Sequence, residues 1–346
     1  MQIQILEIVG GNPAVALHVH KMHAEPVLLS GLGSIVLKKS EISMISQYLK
    51  KTVQTLQKLM DRTPPCVVYF LGGVLPGTAV IHKKQMSIFG MVIRSPGSVI
   101  HTHAVQILSS AKPSSHSWFL QIRELCLMYQ LPHPMSLLEE PPTASFYKKL
   151  VNSKIIDYWD IKLRAEALQL KSAPFFNATF MSLAKPHPIW SSCGSNPFEC
   201  HKAVTASRML SGRYPTDNLQ RHWTPDNKEG FCLLPSCRHS KPSGTLDHLL
   251  LFCPSLSHTR EKLLALLSRV SQEHHAIATI LTNVLTKPNP AAMLQLLLDC
   301  TTMPEVIHAT QVYGDQVQNR LLYFGRTWCY NIHRERMNQM NLLKFR

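Results

Sequence analysis

Acidic residues are scarce in this sequence of 346 residues: 21 Asp and Glu stand against 36 Lys and Arg, a formal charge of +15. That imbalance favours polyanionic partners, nucleic acid ahead of anionic membrane; a basic surface with no partner is the bland alternative. No two aspartates are adjacent anywhere. Apolar runs such as CVVYFLGGVL fall far short of the ~20 residues a membrane helix needs, so no span is expected. The opening MQIQILEIVGGNPAVALHVH lacks the basic start and unbroken apolar stretch of a signal peptide. Nine cysteines, odd in number and unevenly spaced, do not make a disulfide scaffold in a chain this long. They point to a reduced, intracellular protein, and the basic charge adds the nucleus to the cytoplasm as an expected location. Strand patterns are scarce too. PPCVVYF is the best candidate and reads equally well as a buried helix.

What the sequence does have is helical periodicity, and a mainly α fold is expected. In SEISMISQYLKKTVQTLQKLMDRTPP, Ile42, Ile45, Leu49, Val53, Leu56 and Met60 recur at three- and four-residue spacing after Ser40, the expected N-cap. Pro64 and Pro65 close the stretch. SSHSWFLQIRELCLMYQLPHP, ASFYKKLVNSKIIDYWDIKLRAEALQL and FECHKAVTASRMLSGRY follow the same design, the last closing at Gly212. SHTREKLLALLSRVSQE, PAAMLQLLLDC and a final QVQNRLLYFGRTWCYNIHRERMNQMNLLKF complete the set.

CLLPSCRHSKPSGTLDHLLLFC concentrates metal-ligand chemistry. Cys232 and Cys237 are separated by four residues, His248 follows after ten, and Cys253 after four more. Three thiolates and one imidazole make a closed, tetrahedral, structural Zn²⁺ site. His248 and Cys253 would lie about 140° apart on an unbroken helix, too far for one ion. Pro254 removes the difficulty, because the residue before a proline leaves the α region. Leu249, Leu250, Leu251 and Phe252 are expected to cover the site, with Phe252 in the core. His239 follows Cys237 too closely to be a first choice. The other groupings are poorer: HVHKMH (18–23) and HTH (101–103) read as surface histidines, CGSNPFECH (193–201) lacks a fourth ligand, and Cys329 with His333 is only a pair.

Together, PVLLSGLGSIVL, LGGVLPGTAVIHKKQMSIFGMVIR, SWFLQIRELCLMYQLPHPMSLL, KIIDYWDIKLRAEAL, LAKPHPIW, RMLSGRYPTDNLQRHW and the Cys/His stretch followed by CP and an arginine carry a resemblance in order. The chain resembles the carboxy-terminal portion of a non-LTR (LINE-type) retrotransposon reverse transcriptase over residues from about 26 to 260. The resemblance implies an irregular leader at 1–25, a thumb-like helical region at 26–110, a helical connector at 111–225, a zinc knuckle-like module at 226–260 and a basic helical end at 261–346. The family's polymerase carries paired aspartates on a palm hairpin that hold two metal ions. Here Asp157 and Asp160 lie three apart on an expected helix, and too few residues precede PVLLSGLG to form fingers and palm. No polymerase or endonuclease activity is therefore expected.

The remaining expectation is RNA or single-stranded DNA binding by basic groups beside aromatic faces: Arg208, Arg213, Arg221, Trp223, Arg238 and Lys241. Arg320, Arg326, Arg334, Arg336, Lys344 and Arg346 in the tail are equally consistent with nucleic-acid contact and with a solvated helix face. Two other readings stay open: a zinc-module adaptor for a protein partner, and a translated retroelement fragment without function.

Overall fold

Asparagine and proline start the first helix among the described residues. The computed structural model describes residues 11–110, 116–221, 228–286 and 289–344. Asn12 caps α1 (Pro13–Val19) by accepting from the Ala14 N–H, and Pro13 occupies the first turn. A wide turn at His20–Ala24 leads into α2 (Glu25–Leu28). The stretch expected to be an irregular leader is thus helical from Pro13 onward. α1 buries only Pro13, Ala16 and Leu17, too short a set to show a period.

α3 (Lys39–Leu56) buries Ile42, Leu49, Val53 and Leu56, as the spacing predicts. Its cap is Lys38, two residues before the expected Ser40, and Glu41 accepts from the Lys38 N–H at 2.8 Å. It also stops short of Met60. Lys58 takes φ +53°, and the N–H groups of Lys58 and Leu59 donate to the carbonyls of Thr55 and Gln54, a Schellman turn made without glycine.

PCVVYFLG is helical, α4 (Pro65–Gly72), and every residue from Cys66 to Gly72 is buried. α5 (Gly77–Val92), α6 (Val99–Ser110), α7 (Trp118–Met128) and α8 (Pro134–Glu139) follow. The 25-residue α9 (Ala144–Leu168) is capped by Thr143 and spans about 37 Å. Next come α10 (Pro188–Ser191), α11 (Pro197–Leu210) and the short α12 (Asp217–Gln220). Beyond the Cys/His stretch lie α13 (Ser257–Glu273), α14 (His275–Thr286), α15 (Pro290–Asp299), α16 (Pro304–Tyr313) and α17 (Asp315–Lys344). Among the described residues no strand forms, only an isolated bridge between Phe231 and Ser243. The fold is mainly α.

Two large apolar clusters hold it together. One joins α5 to α9 through Met86, Phe89, Ile122, Tyr129, Tyr147 and Ile155. The other gathers α1, α3, α4, α10 and α11 with Leu234, Leu249 and Leu250 of the Cys/His stretch and with α13 to α17. α9 belongs to both, contributing Leu163 to the second. Apolar packing therefore crosses residues 110, 225 and 260 without a break.

α11 closes at Gly212, as expected. Its φ is +67°, and a Cβ there would sit 1.7 Å from the Ser172 carbonyl oxygen. Among the described residues no single helix is long and apolar enough to cross a membrane; α4 and α5 together reach that composition but are bent by 60°.

Candidate metal centre

The chain between Phe231 and Ser243 is a small knuckle. The Cys232 N–H donates to the Pro242 carbonyl at 2.9 Å, and the Gly244 N–H to that of Gly230 at 2.8 Å, so the two arms run side by side. A 3₁₀ turn at Pro235–Cys237 bends the chain back, and the Lys241 N–H donates to the Cys237 carbonyl at 2.9 Å. Lys241 adopts φ +44°, the left-handed conformation that lets KPSG reverse direction. Cys232 and Cys237 thereby point inward.

His248 and Cys253 meet through a device that the five-residue spacing alone does not reveal. Residues His248–Phe252 form a π turn, with the Cys253 N–H donating to the His248 carbonyl at 2.6 Å. The wider turn reduces the angular offset that an α-helix would impose on residues five apart. Pro254 does the rest: Cys253 leaves the helix with φ −61° and ψ 117°, as expected for a residue preceding proline.

The side chains of Cys232, Cys237, His248 and Cys253 converge, with their ligand atoms all within 4.8 Å of one another. The Sγ atoms of Cys237 and Cys253 are 3.6 Å apart, and those of Cys232 and Cys253 4.0 Å. Cys237 Sγ lies 3.5 Å from His248 Nε2. A tetrahedral ion with bonds of about 2.3 Å to sulfur and 2.0 Å to nitrogen sets edges of about 3.8 Å between sulfurs and about 3.5 Å between sulfur and nitrogen. The three distances match those edges, so the cluster can hold a metal ion. The cysteines are buried, and His248 is 9% exposed.

Crowding three sulfurs in a dry site opposes the ionisation of two of them when no cation is bound. The Cys232 thiol is pushed up to about 12, first by its hydrogen bond to Cys253 and then by burial. Burial raises Cys237 as well, whereas Cys253, accepting from Cys232, is lowered. A divalent cation bound there would favour the thiolate form of all three.

Partners from distant parts of the chain fix the knuckle. Arg260, the arginine that follows CP, donates from Nη2 to the Cys253 carbonyl at 2.6 Å. The Ser236 N–H donates to Ser255 Oγ at 2.9 Å. From α17, Trp328 Nε1 donates to the Leu250 carbonyl at 3.2 Å and Gln339 Nε2 to that of Ser255 at 2.9 Å. Arg336 forms a buried ion pair with Asp217 at 2.9 Å, and the second Asp217 oxygen accepts from the Leu233 N–H at 3.5 Å.

This pairing corrects the expectation for the tail. Arg336 is spent on Asp217, and Arg326 is equally buried, bonded to Glu199 at 3.0 Å and to Ser192 Oγ at 2.8 Å. Arg346 lies outside the described residues.

The expected nucleic-acid contacts divide. Arg238, His239 and Lys241 are exposed on the knuckle, and Lys228 is exposed on the chain leading into it. His239 stands apart from the ligand cluster. Arg221 is exposed at the end of α12, Arg213 is half-buried with its Nε unpartnered, and Arg208 donates from Nε to the Lys58 carbonyl at 2.8 Å. Trp223 lies outside the described residues. Leu249 and Leu250 cover the metal centre, but Phe252 is 53% exposed instead of joining the core. In HVHKMH, His18 and His23 are exposed, but His20 is buried. Cys193 and Cys200 form a buried pair, Sγ to Sγ 3.5 Å, with no further ligand among the described residues. His333 bonds to the Tyr214 hydroxyl at 2.8 Å, away from any ligand set. All nine cysteines are free and buried.

No family model, no curated protein and no solved structure matches the chain.

Proposed function

We propose that the protein binds RNA or single-stranded DNA through a knuckle organised by one structural Zn²⁺, and that it does no chemistry at the metal. The carrying observation is the convergence of Cys232, Cys237, His248 and Cys253 at tetrahedral spacing beneath a tip that exposes Arg238 and Lys241. Three thiolates favour zinc over harder ions, and four protein ligands leave no position for a substrate or water. The fixed loop holds its cations ready for phosphates, which lowers the entropy cost of binding. The absence of polymerase activity belongs to the same reading. Asp160 is engaged by Arg164 at 2.9 Å and Asp157 accepts from Ser153 at 3.2 Å, so both carboxylates serve α9. The resemblance to the carboxy-terminal part of non-LTR reverse transcriptases agrees with this assignment.

Titration of the zinc-loaded full chain with labelled single-stranded RNA and DNA tests it. If Lys228, Arg238 and Lys241 each neutralise a phosphate, the logarithmic salt slope is about −2, a loss of about 20-fold between roughly 50 and 200 mM salt. No binding at the lower salt contradicts the proposal.

A second reading, a docking module for a protein partner, draws on Leu233 and Phe252, which are 37% and 53% exposed beside the ligands. Under it, Phe252→Ser abolishes capture of the partner and leaves nucleic-acid titrations unchanged.

A further inference from the structure

Outside the metal-pinned loop, three parts of the chain bring cations and aromatic rings onto one face. On α11, His201 follows Phe198 by three residues and Arg208 follows His201 by seven, which keeps the three along one side of the helix. On α17, Tyr330 and His333 are one turn apart. The two helices meet here. The Tyr330 ring packs edge-on against His201 at 5.5 Å and against Phe198 at 5.2 Å. The Arg208 bond to the Lys58 carbonyl draws the left-handed turn after α3 to the same place and uses one of five guanidinium donors. Lys58, His201 and Phe198 are exposed; Arg208, Tyr330 and His333 are half-buried.

The charges acting on the two histidines are of one sign, while Lys202, 4.7 Å over the Phe198 ring, is paired with Glu199 at 2.7 Å. The charged groups acting on His201 are Arg208 and Lys58, and those acting on His333 are Arg336, His201 and Arg208; among the described residues no carboxylate joins them. Glu199, on the same helix as His201, is turned to Lys202 and Arg326. Arg336 is neutralised by Asp217, which leaves Lys58 and Arg208 without a carboxylate partner among the described residues. Unbalanced cations beside accessible rings complement a strand of phosphates with unstacked bases.

We propose that this face is a second docking surface for single-stranded nucleic acid, with Lys58 and Arg208 on phosphates and Phe198 and Tyr330 against bases. It rests on the nucleic-acid reading above and extends it to residues outside the knuckle.

The test is fluorescence anisotropy of the zinc-loaded full chain with labelled oligouridine. Lys58→Asn combined with His201→Ala changes exposed side chains only, and asparagine tolerates the left-handed φ of Lys58. This variant is expected to bind about five- to tenfold more weakly, with the salt slope reduced by about one. Arg208→Gln, checked for an unchanged melting transition, is expected to give a similar loss. If Lys58→Asn/His201→Ala binds like wild type while Arg238→Gln/Lys241→Gln is weakened, this surface is refuted and the knuckle reading stands. If wild type binds no oligouridine, both fall. Equal affinity for polyglutamate of matched charge, lost in the same variants, overturns the nucleic-acid assignment of this face in favour of an acidic peptide.

Discussion

Replacing Asp217 with alanine isolates the ion pair that ties the Cys/His knuckle to α17. Both side chains of the pair are 4% exposed. The variant strands the Arg336 guanidinium in a dry site and frees the Leu233 N–H beside Cys232. Removing one member of a buried pair costs about 3–5 kcal/mol. Arg336 still has the Pro215 carbonyl at 2.8 Å and the Tyr214 hydroxyl at 3.5 Å as neutral acceptors, which places the cost near the lower end. About 3 kcal/mol corresponds to a shift of roughly 150-fold in the folding equilibrium. Adding Arg336→Met removes the stranded charge, so the double variant is expected to recover part of the loss, with a coupling energy of about 2 kcal/mol. The assay is urea unfolding of the full chain at fixed free zinc for the four members of the cycle, with zinc release followed by a chromogenic chelator. Release is expected to be faster in Asp217→Ala. A cost below about 1 kcal/mol, or additive energies round the cycle, would refute the anchoring role.

Three further outcomes are expected. Trp159 Nε1 donates to the Tyr129 hydroxyl at 3.1 Å, which in turn bonds to His82 Nδ1 at 2.7 Å, and burial pushes His82 down to about 4. Unfolded His82 takes up its proton near pH 6.5, so stability is lost as pH falls from about 6.5 towards 4, by up to about 3 kcal/mol; His82→Gln should flatten that limb in acid denaturation curves. Gly212→Ala should destabilise by more than about 2 kcal/mol in thermal melts, since alanine disfavours φ +67° and its Cβ overlaps the Ser172 carbonyl. Lys241→Gly should act in opposite directions: glycine relieves φ +44° and raises stability by up to about 1 kcal/mol, while loss of the cation weakens RNA binding in salt titrations.

The convergence of Cys232, Cys237, His248 and Cys253 was legible in the sequence because its signals are local. Cysteine spacing, the turn residues of KPSG and Pro254 after Cys253 are each read within a few positions. The π turn at His248–Phe252 was not, since nothing in HLLLF distinguishes a wide turn from an α-turn until the ligands are brought together. α15 was legible from the apolar period of PAAMLQLLLDC, whereas α1, with the same asparagine–proline start, was missed because it is too short to show a period. The end of α3 was hidden, because Lys58 rather than glycine takes the left-handed position. α4 could not be told from a strand by pattern, since a segment buried on all sides has no polar face to set a period. The tail arginines misled for a different reason. Arg326 and Arg336 look solvated on a helical wheel, yet their carboxylate partners lie 127 and 119 residues earlier in the chain.

The central claim is that four side chains close around one zinc ion and that the fold of the knuckle depends on it. The direct measurement is the metal content of the purified full chain by mass spectrometry, paired with the visible spectrum after cobalt exchange. The account predicts one zinc per chain and tetrahedral cobalt bands with thiolate charge transfer, both lost in His248→Ala combined with Cys253→Ser. A chain that purifies without zinc, takes up no cobalt and unfolds identically with and without chelator would contradict it.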